Sequence, residues 1–318
     1  MSHHGMPSAV SMSRRTALGG IAAIAVTARA LRLGSHGQVS AQSGTPVITS
    51  AIEDYPEVVI TATEYNLDLP ASIPAGLTRL TLKNEGAVGH NAMFLRVNEG
   101  ATLAELQAAL ATPDFGPIFA ASNSFGGPEV DPDLQATTIV DLAPGQYMVM
   151  CILPDDEGMP HYLMGMQAAL KVTEAASTMA TPAAESTVAL VDFGFEEMPM
   201  QVAPGRRIWE VSNVGEQIHE LLIMRLSPGV SFDDVRAMLE LAPAAMPETL
   251  VEATPDAAEA VGPPFMIVAG AAPMSPGQTA WPVLDLQAGE HFTICYLPDP
   301  ATGAPHFALG MIMPLAVS

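Results

Sequence analysis

The chain contains one unusual arrangement of residues twice, and this repeat limits what the chain can fold into. The first copy consists of Asn84, Gly86, His90, Cys151, Pro160, His161, Gly165 and Met166. The second copy consists of Asn213, Gly215, His219, Cys295, Pro305, His306, Gly310 and Met311. Both copies have the order Asn-x-Gly-x3-His, then a distant Cys, then Pro-His-x3-Gly-Met. Two copies of so extended a pattern predict two domains of the same fold.

The two copies stay in register over long stretches. Residues 84–100 match the residues 129 positions further on, and the offset is 144 at the cysteine and 145 at the following histidine and methionine. The extra positions of the second copy fall around residues 243–277. Because the motifs are kept while the offset grows slowly, we interpret the repeat as an old duplication.

Short apolar or alternating stretches between prolines and glycines predict a β-rich chain. In the first half the predicted strands are residues 58–62, 77–82, 91–97, 137–142, 147–153 and 167–172. In the second half they are residues 188–195, 207–212, 221–226, 279–286, 291–297 and 311–317. Thr102-x-x-Glu105 and Ser231-x-x-Asp234 each predict one short capped helix. Each half is therefore expected to be a sandwich or barrel of about seven strands with one crossover helix.

The chain length of 318 residues suits two domains of ordinary size, each with its own core. Residues 174–186 are rich in Ala, Ser, Thr and Pro and are typical of a linker. We therefore expect a first domain at residues 42–173 and a second at residues 187–318.

The N-terminal segment has the pattern of an export signal. Ser13-Arg14-Arg15 precedes an apolar run at residues 17–28, which resembles a twin-arginine signal and is too short to span a bilayer. Val39-Ser40-Ala41 supplies the small residues of a cleavage site, so residues 1–41 are the expected signal peptide. The expected location is therefore the periplasm, the cell surface or the extracellular space.

The chain is strongly acidic. It has 12 basic and 34 acidic residues, and loss of residues 1–41 would remove four arginines and leave a net charge of −26. Such a charge disfavours nucleic acid and anionic membranes and favours basic protein partners, although acidity can also serve solubility alone.

Each copy of the repeat offers two imidazoles, one thiol and one thioether. This is the ligand set that suits copper as it cycles between two oxidation states. The candidate ligands are His90, Cys151, His161 and Met166 in the first half, and His219, Cys295, His306 and Met311 in the second. The sequence thus predicts one copper site in each domain.

The same residues resemble the cupredoxins, the family of blue copper proteins that includes plastocyanin and azurin. The resemblance rests on the residues of both copies together with Gly145-x-Tyr147-x3-Cys151 and Asn91. It implies an all-β fold of two tandem Greek-key β-sandwich domains, each with a type 1 copper held by the residues named above. It also implies single-electron transfer to and from a redox partner, for which the acidity of the chain favours a basic protein such as a cytochrome.

The second copy departs from the family pattern at two positions. Asn91, which follows the first histidine, is replaced by Glu220, and Tyr147 is replaced by His291. Nine and ten residues separate the cysteine from the next histidine, a spacing longer than in plastocyanin-like proteins and similar to that in copper nitrite reductases.

Other interpretations of these residues are open at this stage. The two cysteines could form a disulfide, and Met164 competes with Met166 as the weak ligand. The protein could also carry or store copper, or be a binding module without metal. An enzyme of this class needs further histidines for a catalytic copper, and residues 42–318 contain only His291 beyond the four already assigned. We therefore expect an electron carrier rather than an enzyme.

Overall fold

The structure, a computed structural model, describes residues 52–174, 179–241 and 263–318. The expected signal peptide at residues 1–41 lies outside this part of the chain. So does much of the excursion around residues 243–277. Within the described residues, no helix is both long enough and apolar enough to cross a bilayer.

The first half consists mostly of short strands. They are β1 (Glu57–Thr63), β2 (Asn66–Asp68), β3 (Ser72–Pro74), β4 (Gly76–Asn84), β5 (His90–Asn91), β6 (Met93–Val97), β7 (Ser122–Ser124), β8 (Glu129–Val130), β9 (Gln135–Leu142), β10 (Gly145–Met150) and β11 (Gln167–Thr173). Its helices are α1 (Leu103–Ala109), α2 (Phe115–Ala121) and a 3-10 turn at His161–Met164.

The second half repeats this plan. Its strands are β12 (Ser186–Val191), β13 (Gly194–Glu196), β14 (Gln201–Val202), β15 (Gly205–Asn213), β16 (His219–Leu226), β17 (Phe265–Met274), β18 (Thr279–Leu286), β19 (Gly289–Ile294) and β20 (Ile312–Val317). Its helices are α3 (Phe232–Leu241) and α4 (His306–Leu309).

The strands form two β-sandwiches, as the sequence predicts. One face of the first is the sheet β3-β11-β10-β6-β7, and one face of the second is the sheet β14-β20-β19-β16-β17. The other faces are joined in a single eight-stranded sheet, β13-β12-β15-β18-β9-β4-β1-β2, to which each half contributes four strands. The two halves meet where β18 pairs with β9, with Trp281 opposite Ile139.

Alternating burial explains why these segments form sandwich faces. In β1, Val58, Ile60 and Ala62 are buried while the residues between them are partly or fully exposed. The strands nearest the candidate ligands are buried more completely, and the last four residues of β10 are all buried. Burying a large apolar side chain stabilises a fold by about 1.5–3 kcal/mol, so these strands form a rigid base for the loops that follow them.

The observed elements differ from the predicted ones in several respects. The predicted strand at residues 147–153 ends at Met150, and the one at residues 291–297 ends at Ile294, so both cysteines directly follow a strand. The ten-residue β17 lies in the excursion of the second copy and was not predicted. The first half also has α2 in addition to the predicted helix.

The helix signals have their expected geometry. The Thr102 hydroxyl accepts from the Glu105 amide, while the Glu105 carboxylate accepts from the Thr102 amide. Ser231 and Asp234 make the same reciprocal pair. Between the halves, β11 ends at Thr173 and β12 begins at Ser186; the domain boundaries at residues 173 and 187 stay predictions.

Candidate metal centres

The first candidate centre lies where β10 ends. His90 opens β5, and the other three residues lie on the chain that leaves β10 and returns into β11. The Cys151 amide donates to the Met166 carbonyl at 3.1 Å, and the Met166 amide donates to the His161 carbonyl at 3.1 Å. The amide of Tyr162 donates to the Cys151 carbonyl at 2.9 Å. These backbone bonds hold three of the four residues in one fixed loop.

The side chains of this centre converge on one point. The Nδ1 atoms of His90 and His161 are 3.2 Å apart. The Cys151 Sγ lies 3.5 Å from the His161 Nδ1 and 3.9 Å from the His90 Nδ1. All three residues and Met166 are fully buried.

The second candidate centre has the same construction. The Nδ1 atoms of His219 and His306 are 3.1 Å apart, and the Cys295 Sγ lies 3.5 Å from the His306 Nδ1. The Cys295 amide donates to the Met311 carbonyl at 3.1 Å, and the Met311 amide donates to the His306 carbonyl at 3.0 Å. All four residues are buried. The sequence-predicted residues are thus brought together in both halves.

The donor atoms of both centres fit a soft cation. Two facing imidazole nitrogens and a sulfur are acceptors when they are deprotonated, and a shared cation satisfies all three. Burial, together with the neighbouring histidine of each pair, lowers the pKa of His90 and of His306 to about 4, so both nitrogens are available at neutral pH. Burial, with the nearby Glu220 charge, raises the pKa of the Cys295 thiol, so a bound cation is what would favour the thiolate.

The asparagine-glycine part of the motif shapes the approach to each first histidine. The Asn84 side-chain oxygen accepts from the Gly86 amide at 2.9 Å, and Asn213 makes the same turn to Gly215 at 3.0 Å. A β-carbon on either glycine would lie 2.9 Å from the Nε2 of the histidine that follows. Glycine is therefore required because the backbone lies directly against the imidazole.

Burial distinguishes the two methionines that compete in the first half. Met166 is fully buried, whereas Met164 is only partly buried on the 3-10 turn. The matching residue of the second half, Met311, is also fully buried. The burial of Met166 and Met311 supports their assignment as the weak ligands, which stays a prediction.

Asn91 and Glu220 connect the same two loops, each in its own half. The Asn91 side-chain oxygen accepts from the Ile152 amide at 3.1 Å, and the Asn91 backbone amide donates to the Cys151 Sγ at 3.3 Å. Glu220 accepts from the Tyr296 amide at 2.8 Å, so it ties the same two loops together. Burial raises the pKa of Glu220 to about 7. The departure at this position therefore preserves the loop geometry.

Beside each centre lie an aromatic residue and an acidic residue that were not predicted from the sequence. The ring of Tyr65 packs edge-on against His161, and that of Phe193 packs edge-on against His306. The residues before them are acidic, Glu64 and Asp192, and each lies near the first histidine of its half. The acid–aromatic pair of the second half lies 128 positions after that of the first half, one position less than the offset of the motif, so this match could have been found from the sequence.

The positions of His291 and of the two cysteines answer two questions that the sequence left open. His291 lies within β19 with its Nδ1 3.1 Å from the Gly289 carbonyl, and its counterpart Tyr147 donates to the Ala143 carbonyl at 2.8 Å. His291 belongs to neither of the two His-Cys-His groups found among the described residues. The cysteines form no disulfide with each other.

These pKa values give the metal-free protein a characteristic pH response. In the unfolded chain His306 returns to a pKa near 6.5, so between pH 6.5 and 4 the unfolded state binds more protons at this site. The parent protein should therefore lose stability relative to a His306→Gln variant as pH falls through this window. Urea unfolding of both metal-free proteins at pH 7, 5.5 and 4.5 measures the difference.

The comparison with the variant is needed because two buried acids act in the opposite direction. Burial raises the pKa of Glu220 to about 7 and that of Asp131 to about 6, and both contributions cancel in the difference. A stability difference between parent and variant that does not change from pH 7 to pH 4.5 would contradict this account of His306.

Comparisons with known proteins place this geometry in context. No family model and no curated protein match the chain. Among solved structures it is similar to the dithionite-reduced auracyanin of Roseiflexus castenholzii, at 20% identity over 43% of this chain and 99% of that one, with a TM-score of 0.28. It is also similar to a multicopper oxidase, at 15% identity over 82% and 88% of the two chains, with a TM-score of 0.23.

A third similar structure is the copper nitrite reductase of Nitrosomonas europaea. The identity is 12% over 83% of this chain and 94% of that one, with a TM-score of 0.24. The described part of this chain itself contains two sandwiches and two buried His-Cys-His groups. These features confirm the all-β fold of two sandwiches that the resemblance to the cupredoxins implies.

Proposed function

We propose that this protein is an exported electron carrier that holds one type 1 copper in each domain. The ligands would be His90, Cys151, His161 and Met166 in the first, and His219, Cys295, His306 and Met311 in the second. The observation that carries the proposal is the convergence of two Nδ1 atoms and one Sγ in a buried site, found twice among the described residues. Copper with this ligand set supplies a one-electron couple.

The protein's own part in such a function is to keep the ligands still. In each half the cysteine and the methionine are joined by a backbone hydrogen bond, and the second histidine is joined to the same loop. The Asn91 backbone amide donates a hydrogen bond to the Cys151 Sγ and so adds a fixed dipole at the sulfur. Ligands preset by backbone bonds and close packing need little movement when charge changes, which favours fast electron exchange.

The positions of the histidines favour an electron carrier over an enzyme. Four of the five histidines in the described residues form the two centres, and the fifth, His291, lies within β19 beside a backbone carbonyl. A further catalytic copper would need additional imidazoles near an accessible cavity. The residues of this chain support storage and passage of electrons instead.

The proposed partner is a basic redox protein such as a cytochrome. Residues 42–318 carry a net charge of −26 and contain only two lysines, Lys83 and Lys171. A field of this sign attracts a positively charged donor or acceptor over a long range and raises the rate of encounter. The twin-arginine pattern at residues 13–18 supports the proposed export.

A redox titration separates this function from copper transport. We expect the copper-loaded protein to take up two electrons per chain reversibly, and to retain its copper through repeated cycles in the presence of a copper(I) chelator. Spectroelectrochemistry combined with metal analysis after each cycle provides the measurement. Transfer of the copper to the chelator on reduction would indicate a copper-handling protein, and failure to take up copper would indicate a binding module.

A further inference from the structure

A carboxylate lies against the outer side of one histidine in the second centre. The Asp192 Oδ1 is 2.9 Å from the His219 Nε2, the ring nitrogen opposite the one that faces the centre. The same oxygen accepts from the amides of Glu216 at 3.0 Å and Gln217 at 3.1 Å, which fix its position. Asp192 therefore forms a carboxylate–histidine pair aimed at the candidate metal site.

The first centre lacks this contact. The corresponding acid is Glu64, and its Oε1 lies 3.9 Å from the His90 Nε2, which is too long for a hydrogen bond. That oxygen accepts instead from the Ala87 amide. Among the described residues, the His90 Nε2 has no hydrogen-bond partner. Glu64 has one methylene more than Asp192, and it does not make the hydrogen bond to the histidine that Asp192 makes.

The second histidine of each centre shows the same difference. The His306 Nε2 is 3.1 Å from the Gln217 Oε1, and the side-chain amide nitrogen of Gln217 donates to Asp299 at 3.1 Å. In the first copy the residue in register with Gln217 is Val88, which has no polar side chain. In the described part of the chain, the His161 Nε2 has no hydrogen-bond partner. Both imidazoles of the second centre therefore have a hydrogen-bond partner at Nε2, whereas within the described residues neither imidazole of the first centre has one.

Such outer contacts change how strongly an imidazole donates electrons. A histidine that uses Nδ1 as a ligand keeps its proton on Nε2, and a hydrogen bond from Nε2 to a carboxylate makes the ring more basic. A more basic ligand, with a negative charge close behind it, stabilises the more highly charged oxidation state of a metal.

We propose that Asp192 makes the two centres unequal, so that the second binds oxidised copper more tightly and has the lower reduction potential. Asp192 acts as a positioning residue, through His219. This inference rests on the proposed function, since it concerns copper at both centres. Its consequence is that the first electron added to the oxidised protein is held in the first domain.

Proteins with a single centre allow each potential to be measured alone. Cys151→Ser retains the second centre, and Cys295→Ser retains the first. In the first of these backgrounds, Asp192→Asn should weaken copper(II) binding by about 10–100-fold, the usual cost of losing such a partner, with a smaller effect on copper(I). A tenfold differential loss raises the potential of a one-electron couple by about 59 mV.

The matched control is Glu64→Gln in the Cys295→Ser background. Glu64 makes no hydrogen bond to His90, so this change should shift the potential of the first centre far less than Asp192→Asn shifts that of the second. Glu220 is present in the second centre with and without the Asp192 change, so it does not contribute to that shift. Asparagine keeps an oxygen for the amides of Glu216 and Gln217, which favours correct folding.

The two single-centre parents test the inference even if the Asp192 variant does not fold. The protein that retains the second centre must then have the lower potential of the two. Equal potentials, a reversed order, or an unchanged potential in a folded Asp192→Asn variant would overturn the inference while leaving the proposed function intact. If neither parent bound copper, the proposed function would fail first.

Discussion

Replacing Cys151 by serine should abolish the thiolate-to-copper absorption of the first domain and leave that of the second domain unchanged. The band requires a copper–thiolate bond, and a serine hydroxyl is a harder ligand that does not replace a soft sulfur. The Sγ of Cys151 lies within 3.9 Å of both imidazole Nδ1 atoms of its own centre, so its loss should be local. Absorption spectra and copper analysis of the variant measure the effect.

The reciprocal variant and a methionine pair serve as controls. Cys295→Ser should remove only the second band, and the double variant should be colourless. Met166→Leu should alter the spectrum of the first centre, whereas Met164→Leu should not, because Met164 is the less buried of the two and stands outside the repeat. If one cysteine substitution removed both bands, two independent centres would be the wrong description.

The rate of electron exchange with a basic cytochrome should fall steeply as salt is added. Residues 42–318 carry a net charge of −26, and attraction of this kind raises encounter rates by about 10–10³-fold at low ionic strength. The Debye length shortens from about 30 Å at 0.01 M to about 8 Å at 0.15 M, so most of this gain should be lost over that range. Stopped-flow mixing over a salt series measures the rate.

A small uncharged reductant provides the control for the salt series, because its rate should be nearly independent of ionic strength. A cytochrome rate that stayed constant or rose with salt would contradict steering by charge. The acidity would then be explained by solubility alone.

The candidate centres could be predicted from sequence because their ligands lie in short, repeated motifs. Cys151, His161 and Met166 occupy one loop whose spacing is visible in the sequence, and His90 is identified by its match with His219. The sandwich architecture followed in the same way, since most strands alternate or run apolar between turn residues. In these cases the information is local and appears twice.

The unpredicted features depend on contacts between distant parts of the chain. The strand β17 contains Gly270 and Pro273, and its last six residues are all buried, so most of the strand shows no alternation. It is a strand because it pairs with β16 across the excursion. The pairing of β18 with β9, which joins the halves into one sheet, likewise has no local signal.

The contact between Asp192 and His219 was also hidden from the sequence. The two residues are 27 positions apart, and a turn after β12 brings the carboxylate to the ring. Glu64 and Asp192 look equivalent as acids, yet only the shorter side chain reaches hydrogen-bond distance. Differences of this size depend on the three-dimensional position of the turn rather than on residue type.

Optical and paramagnetic resonance spectra of the oxidised protein, loaded with copper to saturation, measure whether each half holds a type 1 copper. We expect two copper ions per chain, an intense blue or green thiolate band, and the narrow hyperfine splitting of a type 1 site. A saturated protein with no thiolate band, or one that binds no copper at its two His-Cys-His groups, would contradict this expectation.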